Sequence, residues 1–146
     1  TRKYKDFFEK VIHVKSGLEE IHRQYGEKIT AVYIEQSLQT FRSGFSSAKT
    51  LSTLARFNGI VSWIVFDQYK IKPEYLAATS ARKLCGIRVP RGQKAKAVVL
   101  KFLLDNEPSF VLEYTRNGNP KPECYDKADS MVIAKAGIIC ERKNSK

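Results

Sequence analysis

Acidic residues are absent from two long stretches of this chain. No Asp or Glu occurs from Gln36 to Phe66, nor from Ser80 to Lys101, although the sequence holds 15 of them against 26 Lys and Arg. Long apolar runs are missing too. Nothing approaches the ~18–20 uncharged residues that a bilayer-spanning helix needs, and the opening Thr-Arg-Lys-Tyr-Lys lacks the apolar core of a secretion signal. Cysteine is scarce: Cys85, Cys124 and Cys140 are too few and too far apart for a disulfide framework or a zinc ribbon. The small, odd count suits a reducing compartment, and all three are expected to be small buried residues. Internal repeats and low-complexity segments are also absent.

What is present suffices for one core. With 146 residues, 42% hydrophobic and 11% aromatic, the chain is no disordered segment, and residues 1–146 are expected to form a single domain. The net charge of +11 is unevenly placed. Ser80 to Lys101 holds Arg82, Lys83, Arg88, Arg91, Lys94, Lys96 and Lys101, and Gln36 to Phe66 holds Arg42, Lys49 and Arg56. The first thirty residues instead mix cations with Asp6, Glu9, Glu19, Glu20 and Glu27, as a solvated helix face does. A field of one sign concentrates a polyanion, and each Lys or Arg that meets a phosphate releases a counterion. The distribution points to nucleic acid. An anionic membrane fits less well, because the cations are interleaved with core-type Val98, Val99 and Leu100 instead of forming a flexible tail.

Strand and helix signals alternate along the chain. Phe7, Phe8, Val11, Val14, Leu18, Ile21 and Tyr25 recur at helical steps, and Gly26 is expected to end that helix in a left-handed conformation. Ile29 to Gln36 reads as a strand apolar on both sides, the pattern of a central strand covered by helices. Ser46 or Ser47 can cap a long helix to about Tyr69, apolar over a wide arc through Leu51, Leu54, Phe57, Ile60, Val61, Ile64 and Val65. Tyr75 to Thr79 reads as a short strand, and Ser80 as the cap of a short helix closed by Gly86. A helix over Lys94 to Leu104 follows, then a loop rich in Pro and Gly with a short ordered piece at Phe110 to Tyr114. A last helix is expected from about Tyr125 to Cys140. The alternation predicts an α/β layered fold with a parallel portion of sheet.

Three acids stand out against this basic background. Glu35 ends an apolar strand, where an unpaired carboxylate costs several kcal/mol, although a strand end can also reach solvent. The C-terminal edge of a parallel sheet is where such folds place their sites. Asp126 and Asp129 lie three apart at the expected start of the last helix, so their carboxylates share a face. They could simply complement the helix dipole, with Asp126 as a cap. Because Met131, Val132 and Ile133 follow at once, the helix enters the core, and the pair is expected to face the sheet edge. Three converging carboxylates are what a Mg²⁺-dependent phosphodiesterase uses.

The order of parts is itself informative. A strand ending Ile-Glu-Gln, a long helix, a strand leading to Ser-Ala-Arg-Lys-Leu-Cys-Gly, a Lys-bearing helix and then Asp-Lys-Ala-Asp-Ser run from about Ile29 to Gly137. This series resembles the RuvC-like Holliday junction resolvases of the RNase H-like nuclease superfamily. The resemblance implies an RNase H-like sheet flanked by helices and a structure-selective endodeoxyribonuclease that hydrolyses branched or four-way DNA to leave a 5′-phosphate. Glu35, Asp126 and Asp129 would be metal ligands for Mg²⁺, with Mn²⁺ as an alternative. Lys83 and Lys94 would lie beside the scissile backbone, with Lys96 an alternative to Lys94. Leu38 would sit near the junction centre, and Arg42, Arg82, Arg88 and Arg91 would contact phosphates. The family's dimer interface implies a homodimer through the helix around Leu51–Val65. It also implies an intracellular setting, in a bacterial or phage-infected cytoplasm or an organelle.

One departure matters. The family opens with a hairpin whose first strand carries an Asp in an Asp-x-Gly setting, and no such element precedes Glu35; Asp6 lies in a helical context. Residue 1 is Thr, which favours a fragment over both strands supplied by another chain and a degenerate, non-cleaving binder. That binder, a non-catalytic nucleic-acid-binding relative that lacks the first acid, is the alternative.

Overall fold

A computed structural model describes residues 6–36 and 48–145. They form a mixed α/β structure, mostly helical, with one small sheet. The chain divides into two compact units, residues 1–75 and 76–146. No helix among the described residues is long and apolar enough to cross a membrane. The expected caps Ser46 and Ser47 lie outside the described residues.

In the first unit, α1 (Phe7–Tyr25) packs against α2 (Ala48–Tyr69). Asp6 starts α1: its Oδ1 accepts from the backbone N–H of Phe8 at 2.8 Å and Glu9 at 3.1 Å. That use as a cap accounts for an acid ahead of an apolar stripe. The stripe is narrower than its periodicity predicts. Phe7, Val11, Val14 and Leu18 are half-buried, whereas Ile21 and Tyr25 stay exposed. The Phe7 ring meets Phe57 edge-on at 5.9 Å, and the Tyr69 hydroxyl donates to the Leu18 carbonyl at 2.7 Å.

Gly26 departs from expectation. It is right-handed, with φ −51°, and α1 runs on into a 3-10 turn, Gly26–Lys28. Its need is steric: a Cβ there would meet the His22 ring at 2.7 Å, and that ring packs edge-on against Tyr69.

The strands are shorter than predicted. β1 spans only Tyr33–Glu35 and pairs in parallel with β2, Glu74–Leu76. Pro73 has no N–H to donate, so pairing begins at Glu74, whose N–H reaches the Val32 carbonyl at 2.9 Å. It stops because α3 begins at Ala78, so the strand expected over Tyr75 to Thr79 is cut short.

The second unit holds α3 (Ala78–Leu84), α4 (Ala95–Asn106) and α5 (Pro122–Asn144), with α5 packed on both of the others. Ser80 lies inside α3 and caps nothing, since Ala77 occupies the cap position. The other end is as predicted. Gly86 has φ +72°, its N–H bonds the Lys83 carbonyl at 3.1 Å, and the Ile87 N–H bonds the Arg82 carbonyl at 2.9 Å. This is a Schellman closure, sealed by the burial of Ile87.

The core of this unit is built on α5. Cys124, Ala128, Val132 and Ala136 recur every four residues and are buried, facing Ala81 of α3 and Val99, Leu100 and Leu103 of α4. Of the three cysteines only Cys124 is buried; Cys85 and Cys140 are half-buried. α5 starts three residues earlier than expected because Pro122 supplies a preset φ at the first helical position. A partly buried ion pair between Lys135 and Glu107 ties α5 to the end of α4. Leu103 is 0% exposed and its neighbour Leu104 47%. Leu103→Ala is therefore expected to lower unfolding stability by about 2–5 kcal/mol in a denaturant titration, against less than about 0.5 kcal/mol for Leu104→Ala.

Candidate metal and nucleic-acid site

Asp126 and Asp129 sit one helical turn apart, but not where the dipole would use them. With α5 beginning at Pro122, they fall in its second and third turns, and Glu123 is the acid of the first turn. Neither is a cap. Asp126 is solvent-exposed and Asp129 half-buried, so only Asp129 meets the expectation of carboxylates turned away from bulk water.

All three helices of the second unit contribute charge around Asp129. Burial pushes its carboxyl above the usual Asp range, Lys96 of α4 and Arg82 of α3 pull it down, and Asp126 pushes it up. Burial is the largest of these, so the carboxylate is partly desolvated yet faces two cations. Lys96 is held in place by the ring of Tyr125, whose centroid lies 5.6 Å from its ammonium. Tyr125 precedes Asp126 in the chain and was not singled out by sequence pattern; the aromatic residue beside the acid motif was the signal to follow. Lys94, by contrast, is the exposed cap residue of α4. Of the two lysines, Lys96 is therefore the one whose charge acts on Asp129.

The remaining predicted contacts fall on the same unit's surface. Lys83 is exposed on α3, and Arg88 and Arg91 are exposed on the loop between α3 and α4. Among the described residues no carboxylate lies within ion-pair distance of Arg82, Lys83, Arg88, Arg91, Lys94 or Lys96, whereas Lys101 pairs with Asp105 at 2.9 Å. With Arg82 and Lys96 drawn to Asp129, four of the seven cations between Ser80 and Lys101, namely Lys83, Arg88, Arg91 and Lys94, are thus left for an external anion. Glu35 belongs to the first unit, exposed at the end of β1, and its backbone carbonyl accepts from Asn58 Nδ2 at 3.0 Å. Leu38 and Arg42 lie outside the described residues.

Among the described residues no three His, Cys, Asp or Glu side chains gather at one place. The α5 pair offers two hard oxygen donors. Mg²⁺ is held by one or two carboxylates, with water and substrate phosphate completing its octahedron, so Asp126 and Asp129 fit such an ion.

Comparison with protein-family models, curated proteins and solved structures finds no match.

A carboxyl raised by burial favours the folded state while protonated, and that contribution is lost as pH rises through its folded value. Asp129→Asn, which stays neutral, is therefore expected to raise Tm at pH 7. The gain should shrink as pH falls through the raised folded value of Asp129 and be gone below the ordinary Asp value of about 3.9. A lower Tm at pH 7 in a thermal scan contradicts this charge balance.

Proposed function

We propose that the chain is a metal-dependent, structure-selective endodeoxyribonuclease that resolves four-way or branched DNA by phosphodiester hydrolysis. The observation that carries this reading is the half-buried Asp129 with Asp126 one turn away, set among Arg82 and Lys96 on a surface of unpaired cations. Lys83, Arg88, Arg91 and Lys94 hold DNA by its phosphates, so shape is read more than base sequence. Asp126 and Asp129 would hold Mg²⁺ or Mn²⁺; a metal-binding role for Glu35 rests on the family resemblance alone. The bound ion supplies activation of water and neutralisation of charge on the scissile phosphate. Arg82 and Lys96 steady the phosphate oxygens beside the acid pair.

On this reading the small parallel sheet and its helices are part of an RNase H-like fold. The protein works where DNA is handled, in the cytoplasm of a bacterial or phage-infected cell or in an organelle. It pairs as a homodimer through α2, where Leu54, Trp63 and Phe66 are exposed, Trp63 at 64%. A second reading, a non-catalytic DNA-binding relative, draws support from burial as the largest influence on Asp129, since a carboxyl held toward its protonated form is a weaker ligand.

Incubation with a synthetic four-way junction and Mg²⁺ separates the two. Cleavage is expected from the parent. Glu35→Gln, Asp126→Asn and Asp129→Asn should each reduce it by more than about 100-fold, beyond the 10–100-fold typical of residues that only support metal ligands. Variants that cut like the parent overturn the assignment, and binding without cleavage selects the second reading. In a salt titration of DNA binding, Lys83→Ala and Arg91→Ala should each reduce the slope of log K against log salt by about 1.

A further inference from the structure

Between α4 and α5 the chain makes a finger that the nuclease reading leaves unused. Tyr114 and Pro120 pair as an isolated antiparallel bridge. The Thr115 N–H reaches the Asn119 carbonyl at 2.8 Å and the Gly118 N–H reaches the Thr115 carbonyl at 3.0 Å. Gly118 closes the turn at φ +75°, a conformation that side chains rarely adopt. The base is clamped twice. The Lys121 N–H bonds the Glu113 carbonyl at 2.8 Å, and the buried Cys124 thiol both accepts from the Glu113 N–H at 3.4 Å and donates to its carbonyl at 3.6 Å. Lys121 and Lys127 also flank the Glu113 carboxylate, at 2.8 and 3.5 Å. Cys124 and Lys127 belong to α5, so the finger is rooted on the helix that carries Asp126 and Asp129.

We propose that this finger is a stacking platform for an unpaired base of the bound DNA, with Tyr114 as the stacking ring and Arg116 as a phosphate contact at the tip. This rests on the nuclease reading and names an element of its DNA-binding surface. Tyr114 is 57% exposed although its backbone is fixed, and Arg116 at the turn is exposed with no carboxylate partner among the described residues. A single exposed aromatic is ordinary on a protein surface. A clamped hairpin that presents a ring and a guanidinium two residues apart, rooted on the helix that carries the acid pair, provides the two contacts by which unpaired nucleotides are held, stacking and phosphate charge. Because the backbone is already ordered, little conformational entropy is lost when a base docks. Glu113 spends its charge on Lys121 and Lys127, which keeps it from repelling phosphate.

The test uses the full chain and a four-way junction with 2-aminopurine at an unpaired central position, in Ca²⁺ to prevent cleavage. Parent and Tyr114→Phe should quench the probe. Tyr114→Ala should lose the quench and bind about 5- to 160-fold more weakly, the range for one stacked base, with no such loss on a fully paired duplex. Arg116→Ala should reduce the salt slope by about 1. Unchanged quench and affinity in Tyr114→Ala overturn the proposal. If Lys83→Ala with Arg91→Ala still weakens binding, DNA recognition stands and only the finger fails; if the parent binds no DNA, both fail.

Discussion

The close packing of α3 on α5 is the contact on which the site depends. It is possible because α5 turns small side chains, Ala128 and Ala136 with Cys124 and Val132, toward the interior, and α3 answers with the fully buried Ala81. Small residues let backbones approach, and a core at close-packed density leaves little room for adjustment. That approach sets Arg82, the residue after Ala81, beside Asp129, the residue after Ala128. A larger residue at 81 or 128 would push the two helices apart and with them the charges.

Around that contact the electrostatics are unequal by construction. Asp129 is partly withdrawn from water, which alone disfavours its charge, and two cations from two other helices oppose the effect without cancelling it. Lys96 adds an ordering step, since the Tyr125 face restrains an otherwise flexible ammonium. The neighbouring Arg88, Arg91 and Lys83 lack such partners and remain free to exchange counterions for phosphate. On the nuclease reading, a polyanion drawn to these cations would meet the partly desolvated Asp129 carboxylate beside Arg82 and Lys96.

Much of this was legible in the residue pattern, and the failures have physical causes. Gly86 was read correctly because a left-handed glycine at a helix end is a local property. Gly26 differs because its requirement is side-chain room and not a left-handed backbone: it leaves space for the His22 ring one turn earlier. The strand at Ile29 to Gln36 was over-extended because apolar content says nothing of its partner, which Pro73 and the start of α3 trim to three residues. The acid pair was found by its spacing, yet placed at a helix start because Pro122 was read as loop and not as the first helical residue. The choice between Lys94 and Lys96 is open in the sequence, since it turns on where α4 begins, which puts Lys94 at the cap and Lys96 in the first turn. Tyr125 has a signal in the sequence, its place beside Asp126, whereas Tyr114 is marked only by its exposure on a clamped turn.

The claim that joins these observations is that Asp126 and Asp129 form a divalent-cation site within the basic surface. Paramagnetic broadening by Mn²⁺ in the amide spectrum of the full chain tests it most directly. Signals around residues 125–130, together with those near Arg82 and Lys96, should fade first at low Mn²⁺, recover on competition with Mg²⁺, and persist in Asp126→Asn with Asp129→Asn. Broadening that begins elsewhere, or that the double substitution leaves unchanged, contradicts it.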